Sequence, residues 1–303
     1  MKKVIIIFST IILFVSCSGI MLKPKNKQLT YQNIVILSDM SDRIEPLING
    51  SIPNQQFPPK DIDEIRKIVQ FFKDECVKPG EKIGDKSCIT FSAFSEKIAA
   101  SVDVEQIKNL GDKQQFVNST GKYVGCGLAE KLVEFEDTVR AVYSKTKNLG
   151  LDLISILIEK IENENIVKQN AFLTDGIDTT FINYENHFYI FTDGYLEYWN
   201  SNANRQFYFG NPEINRVRQY CINNGVDIKT ALEREKTLGL PAYRSANNQY
   251  VNLHILETHE RDFNKKLNTY SNPKGLRDNE ILEAVWRKWA EESGFKSFEW
   301  KKY

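Results

Sequence analysis

Two apolar stretches of the chain each stop at an aspartate. The run "NIVILS" at 33–38 leads into Asp39-Met40-Ser41-Asp42-Arg43, and "FYIF" at 188–191 leads into Thr192-Asp193-Gly194. Carboxylates and hydroxyls are hard oxygen donors, of the kind a divalent cation takes at about 2.0 to 2.6 Å. Arg43 points the other way, because a guanidinium aimed into that space repels an ion: unit charges 4 Å apart interact by about 4 kcal/mol at an effective dielectric of 20. Two aspartates that face each other without a counter-charge raise each other's pKa. The chemistry expected of these residues is therefore binding, with or without an ion. Covalent catalysis has no support, since the chain holds no Gly-x-Ser-x-Gly elbow, P-loop or GxGxxG. His254 and His259 are not at the helical spacing of HExxH, and with His187 they read as hydrogen-bonded structural histidines.

The elements that must position these residues alternate between strand and helix. "NIVILS" has the continuous apolar character of a strand covered on both faces. A proline-rich loop follows, then an amphipathic helix over "KDIDEIRKIVQFFKDEC", with Ile62, Ile65, Ile68, Val69 and Phe72 at helical spacing. "SCITFSAFSEKIAASVDV" reads as a β-hairpin whose second strand is antiparallel. Helices are expected from Leu128 to Tyr143 and from Gly150 to Ile161, the latter apolar nearly all round and so packed deep against a sheet. "FLTDG" at 172–176 echoes "FTDG" at 191–194, and the second copy is read as the sheet strand. "NPEINRVRQYCINNG" is a helix capped by Asn211, with Pro212 at its first position and Gly225 as its stop. "YVNLHILET" is a strand, Leu276 to Ser293 a closing helix, and "FKSFEW" a final strand. The expected fold is α/β: three layers, a mostly parallel central sheet with helices on both faces and one antiparallel edge strand. In such a sheet a ligand crevice opens beyond the carboxyl ends of the strands where their order reverses, and Asp39 and Asp193 are placed for it.

The pair "VILSDMSDR" and "YIFTDG" resembles the von Willebrand factor A domain, a Rossmann-like fold. Its metal-ion-dependent adhesion site uses Asp-x-Ser-x-Ser after the first strand, a loop threonine, and the aspartate of a Thr-Asp-Gly turn. The resemblance covers residues 32–303 in organisation, although only the two short motifs carry it in sequence. By position, Asp39, Ser41 and Asp193 match that metal site. Arg43 stands where the third motif residue would be serine, and Lys147 stands at the place of the threonine, with Thr146 one residue before it. The departures imply a degenerate site in which Arg43, with Lys147, pairs with Asp39 and Asp193 and no cofactor is held. The competing expectation turns Arg43 to solvent and completes a Mg²⁺ site from Asp39, Ser41 and Asp193 with Asp42 or Thr146.

The N-terminus, "MKKVIIIFSTIILFVSC", has two lysines, a short apolar run and small residues before Cys17, the pattern of a secretory signal over 1–16. "FVSC" resembles the lipobox of bacterial lipoproteins, which implies an acylated Cys17, a tether over 17–31 and a cell-envelope address. Ser18 after that cysteine resembles an outer-membrane sorting signal. A plain signal peptide and an uncleaved anchor are the alternatives. Export would place Cys76, Cys88, Cys126 and Cys221 in an oxidising compartment, as disulfides or as buried thiols, and no CxxC spacing suggests a metal. The 40 Lys+Arg balance the 40 Asp+Glu, so no net field draws the chain to nucleic acid.

The segment 195–210 is dense in rings, namely Tyr195, Tyr198, Trp199, Phe207, Tyr208 and Phe209. They are expected either to rim the crevice and stack on a partner or to cover the sheet edge as local core. The function these readings support is that of a lipid-anchored envelope protein that binds an envelope protein as partner, not an enzyme. Its ligand site would comprise Asp39, Ser41, Arg43, Asp193 and Tyr195. The alternatives are a metal-dependent envelope hydrolase using Asp39 and Asp193, or a scaffold with a vestigial crevice.

Overall fold

The computed structural model describes residues 26–40, 58–77, 84, 86–94, 97–145, 152–163, 166–174, 176–198, 205–264 and 266–303. In chain order the elements are β1 (Asn26–Ser38), α1 (Pro58–Val77), β2 (Cys88–Ala93), β3 (Ala100–Asp103), α2 (Leu110–Val117), α3 (Leu128–Lys145) and α4 (Leu153–Asn163). They continue with β4 (Ala171–Thr174), β5 (Thr179–Thr192), α5 (Asn211–Asn224), α6 (Ile228–Arg234), β6 (Val251–Glu257), β7 (Phe263–Asn264), β8 (Thr269–Tyr270), α7 (Asp278–Ser293) and β9 (Ser297–Lys302).

The main sheet runs β3-β2-β1-β5-β6-β9, parallel throughout except for β3, with β4 antiparallel on β5. Numbering the strands of that path by their place in the chain gives the doubly wound order 3-2-1-4-5-6, which reverses between β1 and β5. β7 and β8 form a separate antiparallel pair. The α/β architecture read from the sequence is the one observed.

Alternation along each strand makes the two helical layers. Ile34 and Ile36 of β1 and Phe191 of β5 pack with Ile65, Val69 and Phe72 of α1 and Leu132 and Phe135 of α3. Val35, Leu37, Phe188 and Ile190 pack on the other face with Leu153 and Leu157 of α4, Val217 of α5 and Trp286 and Trp289 of α7. A strand covered on both faces has to be apolar at every position, which is the origin of the runs in "NIVILS" and "FYIF".

Two local expectations differ from the structure, and two short helices have no counterpart among the expectations. The first copy, "FLTDG", also carries a strand, β4 (Ala171–Thr174), which lies antiparallel on the first residues of β5. Gly210 rather than Asn211 caps α5: its N–H donates to Glu213 Oε2 at 3.0 Å, and a Cβ there would lie 2.6 Å from Glu197 Oε1. Residues 110–117 and 228–234 form α2 and α6, too short and weakly patterned to have been read as helices. Cys76, Cys88 and Cys221 are buried cysteines, the Cys88 thiol pushed up to about 12 by burial and by Asp103, while Cys126 is exposed. Among the described residues no helix is long and apolar enough to cross a membrane.

Candidate functional site

β1 and β5 lie side by side with Ser38 level with Phe191, so the next residues of each strand emerge at one end of the sheet. The ladder continues past both strands. Asp39 N–H donates to Phe191 O at 2.8 Å, and Thr258 N–H donates to Thr192 O at 3.0 Å. α1 follows β1 onto one face and α5 follows β5 onto the other, which opens the crevice expected at an order reversal. Asp39 and Asp193 are both buried there, 5% and 8% exposed.

Thr192 joins them. Its hydroxyl donates to Asp39 Oδ2 at 3.3 Å and accepts from Gly194 N–H at 3.1 Å. Asp193 Oδ1 accepts from Tyr195 N–H at 3.1 Å, a side-chain turn that aims the carboxylate into the crevice. Its Oδ2 accepts from Arg261 Nε at 2.6 Å. The same guanidinium reaches Glu197 Oε2 through Nη1 at 2.6 Å and lies 3.9 Å from the centre of the Tyr195 ring. Burial works against the charge on Arg261, and Asp193 and Glu197 outweigh it, holding the pKa above the usual value. His259 Nε2 stands 3.8 Å from Asp193 Oδ2.

The turn is held from below. Gly194 has φ +87°, and a Cβ on it would sit 2.5 Å from the Trp300 ring. Its carbonyl accepts from Trp286 Nε1 at 2.8 Å. Tyr195 OH donates to Asp278 Oδ2 at 2.7 Å, and burial together with Asp278 raises its pKa. Asp278 also pairs with Arg218. Glu257, at the end of β6, accepts from Trp300 Nε1 at 2.8 Å and is pushed up to about 7 by burial, which the Trp300 bond and Lys302 only partly offset. On the α1 side, Ser38 bonds to Tyr143, whose hydroxyl donates to Asp61 Oδ2 at 3.1 Å, and Tyr303 OH donates to Asp61 Oδ1 at 2.7 Å.

The structure thus brings Asp39, Asp193 and Tyr195 to one place, whereas Ser41, Asp42, Arg43, Thr146 and Lys147 lie outside the described residues. Tyr195, Tyr198, Phe207 and Phe209 are buried in the local core, the second of the two roles expected of that segment, and Trp199 is outside the described residues. His187 and His254 are far from this turn, in mid-sheet under Tyr189. Nδ1 of His187 is 2.9 Å from Nε2 of His254, whose Nδ1 is 2.7 Å from Glu299 Oε2.

The group that reasoning from sequence missed is Arg261, the counter-charge that the structure shows on Asp193. A signal existed: "HILETHERD" is a third apolar strand that stops in a charged cluster, the pattern that had singled out the first two. Both oxygens of Asp193 are engaged, one of them by a cation, and among the described residues no three His, Cys, Asp or Glu side chains are grouped to hold a metal. No family model matches the chain, nor does any curated protein or solved structure.

Proposed function

We propose that this is a lipid-anchored protein of a bacterial cell envelope whose von Willebrand A-like domain captures a partner protein at the crevice around Asp39 and Asp193, without an ion. The observation that carries the reading is the bridge of Arg261 between Asp193 and Glu197. A fixed guanidinium on a recessed carboxylate supplies the compensation that a bound cation would supply, and it does so bidentately across two carboxylates. The order reversal at β1 and β5 and the antiparallel β3 support the domain assignment. With Arg261 engaged on Asp193 and Glu197, Arg43 is assigned to pair with a carboxylate of the partner. Tyr195 serves from beneath, as the platform for Arg261.

Crosslinking of the full chain in its own membranes tests this. A discrete crosslinked species is expected that survives a chelator and is lost in Arg43→Ala. Magnesium calorimetry on the full chain is expected to show no binding, and tight binding overturns the ion-free reading. Two observations favour a second reading, a metal-dependent envelope hydrolase. His259 lies close to Asp193, and Glu257 carries a carboxyl that titrates near neutrality. Hydrolytic activity lost on chelation and restored by magnesium selects that reading instead.

A further inference from the structure

At the end of the sheet opposite the crevice, the first residues of β1 and β5 run beyond both core clusters together with β4. Thr179 pairs with Asn26 on one side and Thr174 on the other, so the three segments make a narrow ribbon. Ile182, opposite Ala171, is buried, but four large apolar residues beyond it are bare: Phe172 is 67% exposed, Leu173 62%, Ile177 56% and Phe181 44%. Phe172 is directly opposite Phe181 and therefore on the same face, Leu173 is on the other face, and neither core includes any of the four. Four large apolar side chains on one short ribbon mark an interaction surface.

The chain itself indicates what meets them. β1 begins at Asn26, on the ribbon's own first rung, only nine residues after Cys17, which itself closely follows the apolar run from Val4 to Val15. Nine residues span at most about 30 Å, so an acyl group on Cys17 keeps this end of the sheet beside the bilayer. Lys23 and Lys25 in that connection, with Lys27 at the start of β1, suit an anionic lipid surface. Asp178, next to Ile177, favours a shallow seat, with its carboxylate at headgroup level and rings among the upper acyl carbons.

We infer that the β1–β5–β4 ribbon is a second membrane contact, in which Phe172, Leu173, Ile177 and Phe181 enter the interface of an anionic bilayer beside the lipidated Cys17. The inference rests on the anchored reading proposed above. It adds an orientation. β5 has 14 residues, about 45 Å, so a seated ribbon holds the crevice out from the bilayer and facing away from it. The several acyl chains of a lipobox cysteine hold the chain on the bilayer without fixing its orientation, and a second contact of this kind limits tumbling on the anchor.

The test uses the full acylated chain, reconstituted in vesicles of phosphatidylethanolamine and phosphatidylglycerol. Cys126→Ser removes the exposed thiol, and a polarity-sensitive dye is placed on Ile177→Cys or, as a control at the crevice end, on Leu267→Cys, whose leucine is 70% exposed. A blue shift and at least twofold quenching by lipids with brominated chains are expected at 177 and neither at 267. Adding Phe172→Ser and Leu173→Ser is expected to abolish both effects while the chain stays on the vesicles. Recovery of the chain in the soluble fraction, with Cys17 open to labelling, overturns the anchored reading and this one with it. A vesicle-bound chain with a water-like dye at 177 overturns the ribbon contact alone. A blue shift without lipid quenching assigns the ribbon to another protein surface, such as a second copy, and also overturns it.

Discussion

The two ends of the β1–β5 pair treat water in opposite ways. Past Ser38 and Thr192, Asp39, Thr192, Asp193, Glu197 and Arg261 are joined by hydrogen bonds and ion pairs over a floor of Trp286 and Trp300. Before residue 31 of β1 and residue 182 of β5, the ribbon has ordinary strand pairing and leaves its large apolar side chains in solvent. One end satisfies polar groups that burial would otherwise penalise, and the other leaves apolar area that folding did not cover. The difference teaches where each end obtains its specificity. The crevice is held by its own contacts, and the ribbon has a surface still to be matched.

Substitutions sharpen that comparison in order of effect. Gly194→Ala strikes the closed end hardest, because a Cβ is opposed both by φ +87° and by the Trp300 ring. Left-handed backbone alone costs a non-glycine residue about 1–2 kcal/mol, and overpacking a filled site adds about 1–3 kcal/mol. Gly225→Ala is the control, with φ +61° but open space around it, and the loss should fall to the backbone cost alone, about 1 kcal/mol. Urea midpoints of the two variants measure the difference, and equal losses would remove the floor from the account of the crevice.

Arg261→Ala comes next. Its side chain is 37% exposed, so solvent screens the pair, and the loss is expected near 1 kcal/mol. Arg261→Lys should recover part of it, since a point charge cannot span Asp193 and Glu197 as the fork does. A thermal shift for Arg261→Ala as large as that of Gly194→Ala would mean that the ion pair, not the turn, organises the site.

Most of this architecture was legible because apolar runs of strand length and helices of period 3.6 follow directly from two-sided burial. Asp39 and Asp193 were legible because each ends such a run. Arg261 was not, because its partner lies 68 residues away and only the order β1-β5-β6 brings the ends of three strands together. Glu257 and Asp61 were hidden for a related reason: a carboxylate at a strand or helix end reads as solvated until tertiary packing buries it. β4 was missed because all four of its residues are exposed, leaving no burial pattern to read. That absence is what makes the ribbon conspicuous in three dimensions.

Acidity separates mid-sheet from crevice. His187 is pushed down to about 4, first by burial and then by His254, so its unfolded form takes up a proton at higher pH than the folded form. Its contribution is present above about 6.5 and is lost as pH falls from there toward 4. Glu257, pushed up to about 7, has the opposite sign. The folded form keeps the proton longer, so stability is highest below the ordinary carboxyl range and declines as pH rises toward and through 7. Urea midpoints between pH 5 and 8 should therefore fall less steeply on the alkaline side in Glu257→Gln. An unchanged slope would place the titration elsewhere.

The smallest effect is expected where the exposed apolar area is largest. Phe172→Ser with Leu173→Ser removes two side chains that are 67% and 62% exposed and belong to neither core, so folding in water gives up almost no burial. Surface changes of this kind stay within about 0.5 kcal/mol, and replacing β-formers in a four-residue edge strand adds a few tenths at most. The urea midpoint of the double variant should match that of the parent chain. A loss above about 2 kcal/mol is the size of burying a leucine side chain, and would show that these residues are covered by the chain itself. The two ends of the strand pair would then both be closed, and the ribbon would have nothing left to offer a bilayer.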